Sequence, residues 1–242
     1  MSDPRPQRQF PTTHWSIVAR LKSDDAKEAE NAVKDIFTTY RYPLYGYLRA
    51  TGMQHEDAED VLQGFFEKML RQDALGQADR ERGKLRTFLL MALSRFKSNF
   101  QRGERRRHQR VQGEADLWDA DEARYQFEQH ATAETPETFY ERRWALELME
   151  RVRQRLRMDC QKRGKEALHD ALAPLLSSAL PETESFTAIA QRLGVTENAL
   201  RVSFSRLRAD FRHFLLQEVQ RTLDEGEDAK EEIRHLLSLF ES

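Results

Sequence analysis

Hydrophobic positions recur along this chain at helical spacing, and no stretch alternates as a strand would. In HEDAEDVLQGFFEKML, residues Ala58, Val61, Leu62, Phe65, Phe66, Met69 and Leu70 fall at i, i+3, i+4, i+7, i+8, i+11 and i+12, a single apolar stripe. Asp57, Asp60, Gln63, Gly64, Glu67 and Lys68 lie on its outer faces, and the acids near its start suit the helix dipole. Another helix is expected from about Leu85, with Leu85, Phe88, Leu89, Ala92, Leu93, Phe96 and Phe100 on its buried side. It runs out of apolar residues into the basic tail QRGERRRHQR.

The remaining pattern extends this picture. Thr13 can cap a short helix carrying Trp15, Ile17, Val18 and Leu21. A longer helix is expected over 26–40, interrupted by Pro43 and continued by LYGYLRATG to a stop at Gly52. Thr135 followed by Pro136 starts a helix carrying Tyr140, Trp144, Leu148, Met149, Val152 and Leu156 to about Met158. More helix is expected over 165–178, kinked or split at Pro174. The acidic DEGEDAKEE precedes a last amphipathic helix with the stripe Ile233, Leu236, Leu237 and Phe240. The expected fold class is all-α.

Composition agrees. Ten glycines and seven prolines in 242 residues are few for a turn-rich sheet protein. The net charge of −2 hides two opposed blocks. Residues 95–110 carry seven Lys/Arg against one acid, and residues 112–134 carry seven acids against one Arg. The acidic block, weakly periodic and with Trp118, Tyr125 and Phe127 isolated in it, reads as a linker. Its charge suits either a solvated tether or an imitation of nucleic acid in a basic channel. Cys160 is the only cysteine, which excludes an intrachain disulfide and a cysteine-based zinc cage. No stretch approaches the ~18 apolar residues of a membrane span, and MSDPRPQRQF lacks the apolar run of a signal peptide. The expectation is a soluble cytoplasmic protein without membrane contact.

The most informative stretch is FTAIAQRLGVTENALRVSFSRLR. It reads as a helix-turn-helix. Ile189, Ala190 and Leu193 form the buried side of the first helix, and Gly194 supplies left-handed backbone for the turn. Val195 is expected to plug the corner and Thr196 to cap the second helix. Leu200, Phe204, Leu207 and Phe211 face inward, leaving Glu197, Asn198, Arg201, Val202, Ser205 and Arg208 outside. Asn198 and Arg201 have the donors and acceptors that read base edges, while Thr196, Ser205, Arg206 and Arg208 suit phosphates. A plain helical hairpin with solvated arginines is the bland alternative.

Three segments in this order, HEDAEDVLQGFFEKML, GKLRTFLLMALSRFKSNFQRGERRR and FTAIAQRLGVTENALRVSFSRLR, resemble bacterial RNA polymerase sigma factors of the sigma-70 family, extracytoplasmic-function group. TTHWSIV, YRYPLYGYLR and RGKLRTFLL are similar to one subgroup, and the resemblance covers most of the chain. It implies a region 2-like domain over 1–110 that binds core polymerase and melts promoter DNA. An acidic linker over 111–134, a region 4-like helix-turn-helix domain over 135–216 and a helical extension over 217–242 follow. The implied partners are the clamp helices and flap of core RNA polymerase, and promoter DNA. Asp57, Asp60, Gln63 and Gly64 would face the clamp, Gly64 standing where relatives often carry an acid. Arg82, Lys84 and Arg86 would edge the loop that captures a flipped base, and Arg95, Asn99, Arg102, Arg105 and Arg106 would follow phosphates. Whether an anti-sigma factor, a kinase or the C-terminal extension controls activity stays open.

No cofactor or catalytic role is implied. The chain lacks a Gly-rich phosphate loop and a nucleophile with a paired base, which argues against an enzyme such as a carboxylate-based phosphohydrolase. A metal site from His55, Glu56 and Glu59 is disfavoured, because one short helical cluster rarely closes a coordination shell. The competing function is a stand-alone helix-turn-helix repressor or activator, which would leave the DAEDVLQGFF helix and the basic helix without a purpose.

Overall fold

Asp25 begins the first helix by accepting a hydrogen bond from the Lys27 amide at 2.9 Å. The computed structural model describes residues 20, 25–70, 84–103, 115–129, 134–176, 185–223 and 227–240. All regular structure among them is helical. The elements are α1 (Ala26–Ala50), α2 (His55–Leu70), α3 (Leu85–Gly103), α4 (Ala115–Gln129), α5 (Pro136–Lys162), α6 (Glu166–Leu172) with a 3₁₀ turn (Ala173–Leu176), α7 (Phe186–Leu193), α8 (Glu197–Thr222) and α9 (Ala229–Ser238). None of these helices is long and apolar enough to cross a membrane. The expected helix capped by Thr13 lies outside the described residues.

The chain divides into two units. One comprises residues 1–145 and 220–242, the other residues 146–219, so the divisions fall within α5 and near the end of α8. In the first unit, α1 packs against α2 and α4, and α2 against α3. Pro43 does not interrupt α1, contrary to the sequence expectation. A proline inside a helix costs about 3 kcal/mol. Here Tyr40, Tyr42, Leu44, Tyr45 and Leu48 around it are all buried, and that packing outweighs the lost hydrogen bond. Thr51 and Gly52, the latter at φ +84°, then end the helix as expected.

The acidic stretch expected as a linker contains α4, which belongs to the first unit. Trp118 and Tyr125 are buried rather than isolated. They stand seven positions apart, two helical turns, and so share one face. Trp118 meets Phe37 and Tyr45 of α1 at 6.2 and 6.0 Å between ring centroids. Tyr125 packs edge-on against Phe139 at 5.5 Å. Phe127 is exposed. The acids of α4 meet cations and a hydroxyl of the same unit: Asp121 with Arg41, Glu122 with Arg49, and Glu128 with Tyr42 and Arg143.

In the second unit, Leu156 and Cys160 of α5 form one core with Leu172, Ile189, Ala190, Leu200 and Leu207. The Cys160 side chain is buried, and burial pushes its thiol above the ordinary value. Pro174 ends the α-helical run, the chain tightening into the 3₁₀ turn at Ala173.

Candidate nucleic-acid interface

The α7–α8 pair is capped at each step. Ser185 Oγ accepts from the Ala188 amide at 3.2 Å, and Thr196 Oγ1 from the Ala199 amide at 3.2 Å. Gly194 ends α7 at φ 66°, ψ 29°, a conformation costly for any residue with a Cβ. The Val195 amide returns to the Ala190 carbonyl at 3.0 Å, closing the turn. Val195 itself is 41% exposed and does not plug the corner. Its backbone, rather than its side chain, is what the turn uses.

Leu200 and Leu207 point into the core, while Asn198, Arg201, Val202, Ser205, Arg206 and Arg208 are exposed on α8. Thr196 is exposed as well. The Arg201 guanidinium lies 5.0 Å from the Phe186 ring. Its Nε and Nη2 donate to Glu197 Oε1 at 3.0 and 2.6 Å, and Thr187 of α7 donates to Glu197 Oε2 at 2.7 Å. Hydrogen bonds from Thr187 and Arg201 lower the Glu197 carboxyl below its ordinary value. The sequence-predicted Glu197 is thereby a support for Arg201 rather than a free contact residue. It occupies the Nε and Nη2 edge of the guanidinium, so the paired donors left to a ligand are those of the Nη1/Nη2 end. Phe186, Arg201, Phe204, Ser205, Arg208 and Arg212 line an adjoining cleft of about 410 Å³.

The first unit holds the residues assigned to the polymerase clamp and to melting. On α2, Asp57 is exposed, Asp60 and Gln63 are half-buried, and Gly64 is buried. Gly64 therefore does not belong to the outer face, and with no side chain it adds nothing to that face. On α3, Arg95 and Asn99 are exposed. Arg86 is not: it is 3% exposed, ion-paired to Glu232 of α9 at 2.5 Å, with its guanidinium 4.6 Å from the Trp144 ring. Lys84 donates to the same Glu232. The expectation that Arg86 edges an open base-capturing loop is not met, because α9 supplies a buried carboxylate that it faces; Lys84, assigned to the same edge, is half-buried against that carboxylate. Burial raises the Glu232 carboxyl, but Arg86 and Lys84 more than reverse this and keep it below the ordinary value. Arg82, Arg105, Arg106 and the Arg102 side chain lie outside the described residues.

A polar cluster joins α1, α2 and α4. Tyr45 donates to Glu122 at 2.6 Å, so its oxygen is left to accept from His55 Nδ1 at 2.7 Å. The opposite ring nitrogen, Nε2, faces Glu59 at 3.0 Å and Asp119 at 3.5 Å. The ligand atoms of His55, Glu59 and Asp119 lie within 4.8 Å of one another, a spacing compatible with a metal ion. Glu56, part of the set weighed from sequence, is exposed, and Asp119 of α4 stands in the group instead.

Glu122 is the anchor of this cluster. Burial works to raise its carboxyl, but hydrogen bonds from Arg49, Gln126 and Tyr45 prevail and lower it from 4.5 to about 2. A carboxyl depressed on folding stabilises the native state above its unfolded value, and that contribution is lost as pH falls through its folded value. We expect the pH-dependent part of the stability difference between wild type and Glu122→Gln to be full at pH 6, to shrink from about pH 5 downward and to be lost only below about pH 2. Urea unfolding at several pH values measures it; a difference independent of pH would contradict the assignment.

No protein-family model, no curated protein and no solved structure matches the chain.

Proposed function

We propose that this protein is a sigma factor of the extracytoplasmic-function type, which binds core RNA polymerase in the cytoplasm and directs it to promoter DNA. The reading rests on the sequence resemblance. The observation that supports it best is the exposed row on α8: Asn198, Arg201, Ser205 and Arg208 all face solvent, behind a capped glycine turn. On this reading α7 and α8 are a helix-turn-helix whose second helix enters the major groove. Arg201, stacked on Phe186 and held by Glu197, presents its remaining edge to a base. Asp57, Asp60 and Gln63 meet the polymerase clamp, where carboxylates and an amide suit arginine donors. The protein performs no chemistry of its own; the polymerase supplies the reaction.

The experiment is run-off transcription and co-purification with core polymerase. Asp60→Lys should abolish stoichiometric binding to the polymerase while leaving the helical circular dichroism unchanged. Arg201→Ala should keep that binding and lose about 1–3 kcal/mol of promoter discrimination. A wild-type chain that binds DNA but not polymerase would instead be a stand-alone regulator, and the proposal would fall.

A further inference from the structure

The last helix follows the expected pattern of its own sequence only in part, with Leu236 buried and Ile233 half-buried. Leu237 and Phe240, two of the four apolar residues that predict its buried stripe, are 52% and 44% exposed. The buried positions are Ala229, Glu232 and Leu236. A carboxylate is therefore placed where an apolar side chain would cost less. Its partners explain the placement: Lys84, just before α3, and Arg86, in the first turn of α3. Further contacts hold α9 down. Arg142 Nε and Nη2 donate to the Leu239 carbonyl at 3.0 and 2.6 Å. His235 lies 3.4 Å from Glu141.

Two cations converging on one buried anion form the arrangement that a phosphate group also satisfies. We infer that α9 is an internal occupant of an anion site: Glu232 stands on Lys84 and Arg86 in place of a backbone phosphate of single-stranded nucleic acid, and α9 must leave before that strand can bind there. This rests on the proposed function for the identity of the ligand. The contact itself lies wholly within the first unit. Arg86 already lies over the Trp144 ring, and Lys84, at 26% side-chain exposure, is the cation first met from solvent. The competition is reciprocal, since whatever displaces α9 must be weakened by α9 to the same degree.

The test uses the full chain and a 30-nucleotide oligo-dT, followed by fluorescence anisotropy across a salt series. Glu232→Gln keeps the size of the side chain and removes the charge that holds both cations. It should bind the oligonucleotide at least about fivefold more tightly, with a salt slope steeper by about 0.7, the value for one additional phosphate contact on a single strand. Adding Lys84→Met should cancel most of the gain. Unchanged or weaker binding by a folded Glu232→Gln chain overturns the inference. Should that variant fail to fold, wild type decides: saturating oligonucleotide should speed amide hydrogen exchange across 229–238, and unaltered exchange overturns the inference. Co-purification of wild type with core polymerase does not involve α9 on this account. It therefore reports on the function independently of the latch.

Discussion

Trp144→Ala is expected to lower the unfolding free energy by about 3–5 kcal/mol, the range for removing a fully buried tryptophan. Trp144 has no exposed surface and is the largest of the fully buried side chains among the described residues. It does more than fill space. Its ring supports the Arg86 guanidinium at 4.6 Å, and Arg86 in turn faces Glu232. Alanine would leave a cavity beside a buried ion pair, with one partner no longer held in plane. Breaking such a pair is costly because the surviving charge stays buried. Trp144→Phe retains most of the apolar area and a ring face for Arg86, so its cost should be less than half that of alanine. Equilibrium unfolding in urea distinguishes the two; an alanine variant within about 1 kcal/mol of wild type would mean that the site collapses around the loss.

The second large effect is at Gly46, within α1. A Cβ added there would overlap Cε1 of Phe139 far inside van der Waals contact. Phe139 cannot give way cheaply. It is buried, packs edge-on against Tyr125, and lies 4.8 Å from the Arg143 guanidinium. Gly46→Ala should therefore destabilise by about 3 kcal/mol, the upper part of the range for overpacking, despite alanine's better helix propensity. Phe139→Leu removes the ring that clashes. In that background Gly46→Ala should cost at least about 1 kcal/mol less, the coupling expected of residues in direct contact. A double-mutant cycle measures this, and full additivity would show that the backbones simply separate.

These two sites show what the sequence makes plain and what it hides. The extent of α2 and the start of α3 follow from local periodicity: α2 ends at Leu70, the last residue of its stripe, and α3 begins at Leu85, the first of its own. The turn at Gly194 is equally local: a small residue, a glycine and a threonine cap lie within seven positions. Along α8, the division between inward Leu200 and Leu207 and outward Arg201 and Ser205 follows from the same period.

What the sequence concealed depends on partners far away along it. Trp118 and Tyr125 carry the docking of α4, but the two aromatics with acids between them read as a polar tether. Only the fold brings Arg41, Arg49 and Phe37 of α1 against them. Their separation of seven was the one signal available. The path of α1 through Pro43 is decided by tertiary burial, which no local propensity contains. Glu232 was hidden for the same reason, since its partners precede it by 148 and 146 positions. Nothing near Lys84 and Arg86 in sequence is able to cover them, so the resemblance alone places both at the edge of a loop. Glu197 shows the same limit in miniature: its second partner, Thr187, belongs to the preceding helix.

Cys160, shielded within the second unit and with its thiol shifted away from reactivity, leaves this chain an almost silent background for thiol-directed dyes. A reporter cysteine at an outward position such as Leu237 would take up label alone, so the chain can be followed one molecule at a time, without first rebuilding its interior.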